Sequence, residues 1–270
     1  MVTLSEILIQ AAQREPQLAP YYEFHQALLA LQEQAEQAIT APVAITEEEV
    51  AARTRQGLPA ITFDRLPVNP TRFAQLALKL AKVLQDFEVE TGDSVLPADE
   101  GEWIVLARQC FDDGMAISEE APASPVGDAS LAQMAINLAL KPYLRQAARQ
   151  VMPYINRDLW RRGYCPVCGG APDFAALDAE TGARRLLCSR CDAQWPYQRI
   201  GCPFCGNTDH TQIVYYPSAD GVYRLYVCQA CRHYLKTIDM RRVEREVLLT
   251  AERIVTVAMD AAAQQEGYLG

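Results

Sequence analysis

The chain has 270 residues, with 25 basic and 34 acidic side chains and a formal net charge of −9. That length suffices for a full core and for two domains. No stretch approaches the roughly 18 unbroken apolar residues of a membrane span, and the acidic total gives no global attraction to nucleic acid.

The charge is uneven along the chain. Residues 1–156 carry 11 basic and 21 acidic side chains, whereas residues 157–245 carry 13 and 9. The opening Met1-Val-Thr-Leu-Ser-Glu6 has no basic region and no twin arginine. A cytoplasmic location is therefore expected, with no membrane insertion.

Helical periodicity dominates the first half. Leu4, Ile7, Leu8 and Ala11 predict a helix over 3–14, ended by Pro16 and Pro20. Phe24, Leu28, Leu31 and Ala35 form one face of a longer helix over 21–39, broken by Pro42. Thr46 and Glu49 have capping-box spacing and start a third. Residues 57–70 read as a loop, extended around Ile61 and Phe63. Asn69-Pro70 starts a helix over 71–87. After a break at 92–97, helices are predicted over 99–111 and 128–150, separated by a polar loop over 118–127. Pro142 marks a kink or a boundary in the second.

Eight of the nine cysteines then occur in four Cys-x-x-Cys pairs: Cys165/Cys168, Cys188/Cys191, Cys202/Cys205 and Cys228/Cys231. Each turn points two sulfurs at one centre, so two turns complete a tetrahedral four-thiolate shell. Nineteen residues separate Cys168 from Cys188, and 22 separate Cys205 from Cys228. Each gap is long enough for a hairpin that brings its two knuckles together. Strand-forming residues 174–177 and 185–187 flank a turn in the first gap; 212–216 and 223–227 flank one in the second. Residues 195–200 and 234–239 offer a third strand to each unit. Both units open on Cys-Pro-x-Cys-Gly, and Cys165 and Cys202 lie 37 residues apart, as in a tandem duplication. Site 1 is expected from Cys165, Cys168, Cys188 and Cys191, and site 2 from Cys202, Cys205, Cys228 and Cys231. The first knuckles are rubredoxin-like, but zinc ribbons share the turn, so iron and zinc both remain open. The second knuckles carry Asp192 and Arg232 where the first have glycine.

After Asp239 a helical pattern returns to about residue 265. The expected organisation is α+β and multidomain: an all-α helical domain over 1–160, metal modules over 161–200 and 201–240, and a C-terminal helix over 241–270 that is free to pack on the helical domain. His210 and His233 lie beside knuckles, but eight thiols already fill both shells. His25 reads as a solvated side chain and Cys110 as a core thiol. Trp195 and Tyr234 are placed to shield the metal sites. For Arg161-Arg162 and Arg184-Arg185, solvated charge and a grip for an acidic partner are both open. A four-thiolate site has no open coordination position, and no catalytic motif accompanies it, so the expectation is a protein that is not an enzyme.

The chain resembles the formate dehydrogenase accessory protein (FdhE) family. The resemblance rests on Tyr164-Cys-Pro-Val-Cys-Gly-Gly170, Cys188 and Cys191 followed by Trp195, Cys202 with Cys205, Cys231-Arg-His-Tyr-Leu-Lys236 and Gln265-Glu-Gly-Tyr268, and spans about residues 153–268. It implies a cytoplasmic maturation factor that binds the catalytic subunit of a respiratory formate dehydrogenase. It also implies two iron ions held by the eight paired cysteines. A zinc-ribbon nucleic-acid binder and a rubredoxin-like electron carrier are the alternatives, and a homodimer is compatible with all three.

Overall fold

Residues 3–92, 95–116 and 129–270 are described in a computed structural model of the chain. The loop expected over 118–127 lies outside these residues. Helices α1 (Leu4–Arg14), α2 (Ala19–Ala38), α3 (Glu47–Arg55), α4 (Pro70–Asp86), α5 (Glu100–Asp113) and α6 (Leu131–Val151) occupy the first half. The second half contains β1 (Pro172–Leu177), β2 (Arg184–Cys188), β3 (Gln194–Tyr197), β4 (Ile213–Pro217), β5 (Tyr223–Cys228) and β6 (Tyr234–Asp239), then α7 (Leu249–Val255) and α8 (Val257–Gln265). This is the α+β architecture expected from the pattern. Thr62 is extended, as expected within the loop, and residues 63–65 then form a 3-10 turn. None of the described helices is long and apolar enough to cross a membrane.

Contacts divide the described residues into two compact units. One draws on described residues of 3–46, 61–92, 95–114 and 129–153, and the other on 47–60, 115–116 and 154–270. In the first unit, α2, α4 and α5 pack on α6. Caps set the helix starts: Asn69 and Asp99 accept from the N–H groups of Arg72 and Glu102, and Ser130 and Gln133 form a reciprocal capping box. The buried face of α6 includes five alanines, of which Ala135, Ala139 and Ala147 are fully buried, which lets neighbouring helices approach closely.

Helix α6 runs through Pro142 instead of ending there. Proline lacks the N–H that would bond the carbonyl of Leu138, four residues earlier. The buried side chain of Gln32 on α2 fills that vacancy, its Nε2 donating to the Leu138 oxygen at 3.0 Å.

The second unit is built on one six-stranded sheet of order β3-β2-β1-β6-β5-β4. Each metal module contributes an antiparallel three-stranded meander. The two are fused by a parallel ladder between β1 and β6, Phe174 opposite Lys236 through Leu177 opposite Asp239. Helix α7 packs on β1 and α8 on β6. Phe174, Ala176, Leu187, Ile238 and Leu249 form one buried cluster, and Leu225, Val227, Tyr234, Ala263 and Tyr268 another. At the end of β6, Asp239 is buried and accepts from Arg224 at 2.6 Å and Arg241 at 2.7 Å. The Arg241 hydrogen bond, with charge from both arginines, holds its carboxyl below the usual 3.8.

These contacts set the cost of two substitutions. Gln32→Ala strands a buried carbonyl and lowers stability by about 1–3 kcal/mol. In a Pro142→Ala background the deficit shrinks, because the restored N–H bonds Leu138; a double-mutant cycle by denaturant unfolding reads the coupling. Asp239→Asn leaves Arg224 poorly compensated and costs about 3 kcal/mol at pH 7. A depressed carboxyl pKa stabilises the fold above its unfolded value, and the gain disappears as pH falls through the folded value. The gap between Asp239→Asn and the parent therefore narrows between about pH 4 and lower pH in unfolding curves.

Candidate metal centre

All four Cys-x-x-Cys turns are built alike. The N–H of each first cysteine donates to the carbonyl five residues on: Cys165 to Gly170, Cys188 to Ala193, Cys202 to Asn207 and Cys228 to His233, all at 2.9 Å. In three of them the residue four positions after the first cysteine closes the loop, as Gly169, Gly206 and Arg232 donate to the carbonyls of Cys165, Cys202 and Cys228. This return needs a positive φ, and Gly169 and Gly206 adopt 74° and 71° at no steric cost. Asp192 and Arg232 take the same conformation, at 59° and 63°. For a residue with a Cβ that geometry is unfavourable by roughly 1–2 kcal/mol.

The two non-glycine turns are held by α7 and by the segment that closes the chain after α8. Arg253 of α7 pairs with Asp192 and with Asp173, the latter at 2.9 Å, and donates to the carbonyls of Cys188 and Ser189. Burial works against its charge, but the two aspartates outweigh it and hold its pKa above the ordinary value. Arg232 donates to the Glu266 carbonyl at 2.7 Å and lies 4.1 Å from the centre of the Tyr268 ring. Residues before the first knuckle support it as well: the Ala60 N–H donates to the Pro166 carbonyl at 2.9 Å and the Tyr164 hydroxyl to the Gly57 carbonyl at 2.8 Å.

The thiols converge in two groups, Cys165, Cys168, Cys188 and Cys191, and Cys202, Cys205, Cys228 and Cys231, with the sulfurs of each group within 4.8 Å of one another. Cys165 and Cys191 Sγ lie 3.5 Å apart, as do Cys168 and Cys188, and Cys202 and Cys231; Cys205 and Cys228 are 3.8 Å apart. A tetrahedron with metal–sulfur bonds of about 2.3 Å has edges of about 3.8 Å. A disulfide needs about 2.05 Å. The donor set and its spacing therefore fit a tetrahedral metal ion. Backbone N–H groups of Val167 and Arg190 already point at the Cys165 and Cys188 sulfurs at 3.4 Å, ready to stabilise thiolates.

The two groups differ in access. Every cysteine of the first is buried, whereas in the second Cys205 is exposed and Cys231 half-buried. Burial pushes the Cys165 and Cys191 thiols well above the ordinary range, and the Cys231 thiol up to about 11.

No histidine joins either group. His233 stacks on Phe204 at 4.7 Å and its Nδ1 lies 3.1 Å from the Cys231 carbonyl. His25 packs edge-on against Tyr21 instead of lying free in solvent. Cys110 is buried. Trp195 is fully buried, with Nε1 donating to the Arg162 carbonyl, and Tyr234 donates to Asp260. Sequence reasoning missed Arg253, which sits 65 residues from the cysteine whose carbonyl it holds. The non-glycine residues at 192 and 232 were the available signal that something outside the turn must secure it.

Replacing those residues separates their roles. Arg232→Gly relieves a positive φ but loses a cation–π contact of about 0.5–1 kcal/mol, so metal-loaded stability stays within about 1 kcal/mol. Asp192→Gly strips a partner from buried Arg253 and destabilises by about 3 kcal/mol despite the same relief. Denaturant unfolding of the metal-loaded variants measures both.

Comparison with known proteins locates the chain. The family model for "FdhE, central domain" matches residues 164–199. A protein FdhE homolog of Aquifex aeolicus is 34% identical over 134 residues, covering 48% of this chain and 46% of the relative. A Pseudomonas aeruginosa FdhE homolog is 31% identical over 116 residues, covering 40% and 37%. The matched region thus spans less than half the length of these relatives. The crystal structure of the FdhE protein from Pseudomonas aeruginosa superposes with a TM-score of 0.63 over 98% of this chain and 91% of that one, at 21% identity, which carries the likeness of fold to both halves. The cysteine framework, the matched central segment and the overall fold are thus all similar to those of FdhE proteins.

Proposed function

We propose that the chain is a non-enzymatic accessory protein that holds two metal ions and assists maturation of a respiratory formate dehydrogenase. Its client is the enzyme's catalytic subunit, met in the cytoplasm. The observation that carries this reading is the pair of complete cysteine groups. Four thiols around one centre leave no position for water or substrate, so such a site folds a module or moves an electron and does not hydrolyse. Cys165, Cys168, Cys188 and Cys191 are the ligands of one ion; Cys202, Cys205, Cys228 and Cys231 hold the other.

Iron is the ion proposed, on the likeness of both Cys-Pro-x-Cys-Gly knuckles to rubredoxin and on the family resemblance. Iron in this setting supplies a one-electron couple, whereas zinc would supply folding free energy alone. The formate dehydrogenase client likewise rests on the family.

The internal use of basic residues speaks against nucleic acid as the partner. Arg224 and Arg241 are bound to Asp239, Arg245 to Glu252, and Arg253 to Asp173 and Asp192, while Arg184 is buried. These five arginines are engaged or buried within the unit, which lowers the number free to meet a phosphate backbone.

Anaerobic purification followed by elemental analysis and a visible spectrum tests the metal: two irons per chain and a coloured protein are expected, and colourless protein with two zincs sinks the iron assignment. Capture on the immobilised chain tests the client. A formate dehydrogenase catalytic subunit should be retained, and Cys165→Ser with Cys188→Ser should abolish retention; a wild-type chain that retains none overturns the accessory role.

A further inference from the structure

Arg184 opens β2 of the first module, and only 1% of it is exposed. One amino group donates to the Gly201 carbonyl at 3.0 Å, directly before the second cysteine group begins. The guanidinium lies 4.4 Å from the centre of the Tyr226 ring. Its Nε and its other amino nitrogen have no hydrogen-bond partner. Arg184 lines a cavity of about 10 Å³ together with Cys202, Cys228 and His233. That is room for a single water.

A buried cation with unpaired N–H groups demands an explanation. The cysteines that share the cavity provide one. Four thiolates around a divalent ion carry a net charge of −2, and around a trivalent ion −1. When the second group loads, anionic charge appears at Cys202 and Cys228, which line the same small cavity as the guanidinium, and Arg184 is placed to balance it.

The same knuckle is held by two further residues of the first module. The Tyr197 hydroxyl donates to the Cys202 carbonyl at 3.0 Å. A Cβ at Gly163 would lie 1.8 Å from the Pro203 carbonyl oxygen, so only glycine permits this approach. The first group is buried throughout, whereas the second exposes Cys205.

We propose that the second cysteine group is an exchangeable metal site whose charge is balanced by Arg184 of the first module, so that it loads after the first site and empties before it. This rests on reading both groups as metal sites, but not on the identity of the ion or the client.

Cobalt(II) titration of the reduced, metal-free full chain tests it, since tetrahedral cobalt thiolate absorbs in the visible. Two steps are expected, and Cys205→Ser should remove the weaker. A competing chelator should bleach that weaker step first. Arg184→Met should weaken the second step at least tenfold and leave the first unchanged, while Arg184→Lys, which keeps the charge, should restore most of the loss. Cys165→Ser with Cys188→Ser should weaken the remaining site at least tenfold. The proposal is overturned if Arg184→Met leaves the second step intact, if it weakens both steps equally, if lysine fails to rescue, or if the second site loads normally without the first. Absence of any cobalt thiolate band would instead refute the metal reading itself.

Discussion

The parallel ladder between β1 and β6 is the constraint on which the metal-bearing unit depends. A three-stranded meander of four- to six-residue strands has too little surface to bury a core by itself. Joined through Phe174–Leu177 and Lys236–Asp239, the two meanders become one sheet broad enough for α7 and α8 to cover. The buried clusters cross that seam: Phe174 and Leu187 come from one module, Ile238 from the other, and Leu249 from the helix above.

The ladder joins unlike strands of a duplicated unit. β1 is the first strand of its module and β6 the last of the other, so the repeats meet head to tail and their cysteine groups fall in different surroundings. One group ends up buried, with Arg253 holding its second knuckle through Asp192 and two carbonyls. The other ends up near the surface, with its first knuckle resting on Gly163, Arg184 and Tyr197 of its neighbour. Two sites of identical ligand chemistry can therefore differ in accessibility and charge environment without any change in their cysteines. Duplication followed by asymmetric packing is a physical route to a division of labour between equivalent metal sites.

The cysteine framework is local chemistry, and local chemistry explains why the comparison with FdhE proteins is clearest there. Residues 164–199 match the FdhE central-domain model, while the fold is shared over 98% of the chain at 21% identity. A helix face tolerates exchange among apolar residues of similar volume, whereas a thiolate ligand has no substitute of the same geometry.

The sequence by itself determined what depends on short-range periodicity and spacing. It determined the first six helices to within a few residues, the six strands, and the division of eight cysteines into two groups of four, because each of these is encoded within about 30 consecutive residues; the one helix expected from 241 is instead α7 and α8, starting at Leu249 and separated at Thr256. Arg184 was not legible: the sequence offered it as solvated charge or a grip for a partner, whereas it is buried at the start of β2. Only the tertiary structure decided the β1–β6 pairing, the placement of α7 and α8 on the sheet, the inclusion of α3 with the metal-bearing residues, and the filling of the Pro142 vacancy by Gln32. Those contacts join residues far apart in the chain, and they are selected by shape, buried charge and unpaired backbone polarity, none of which leaves a periodic mark on the sequence.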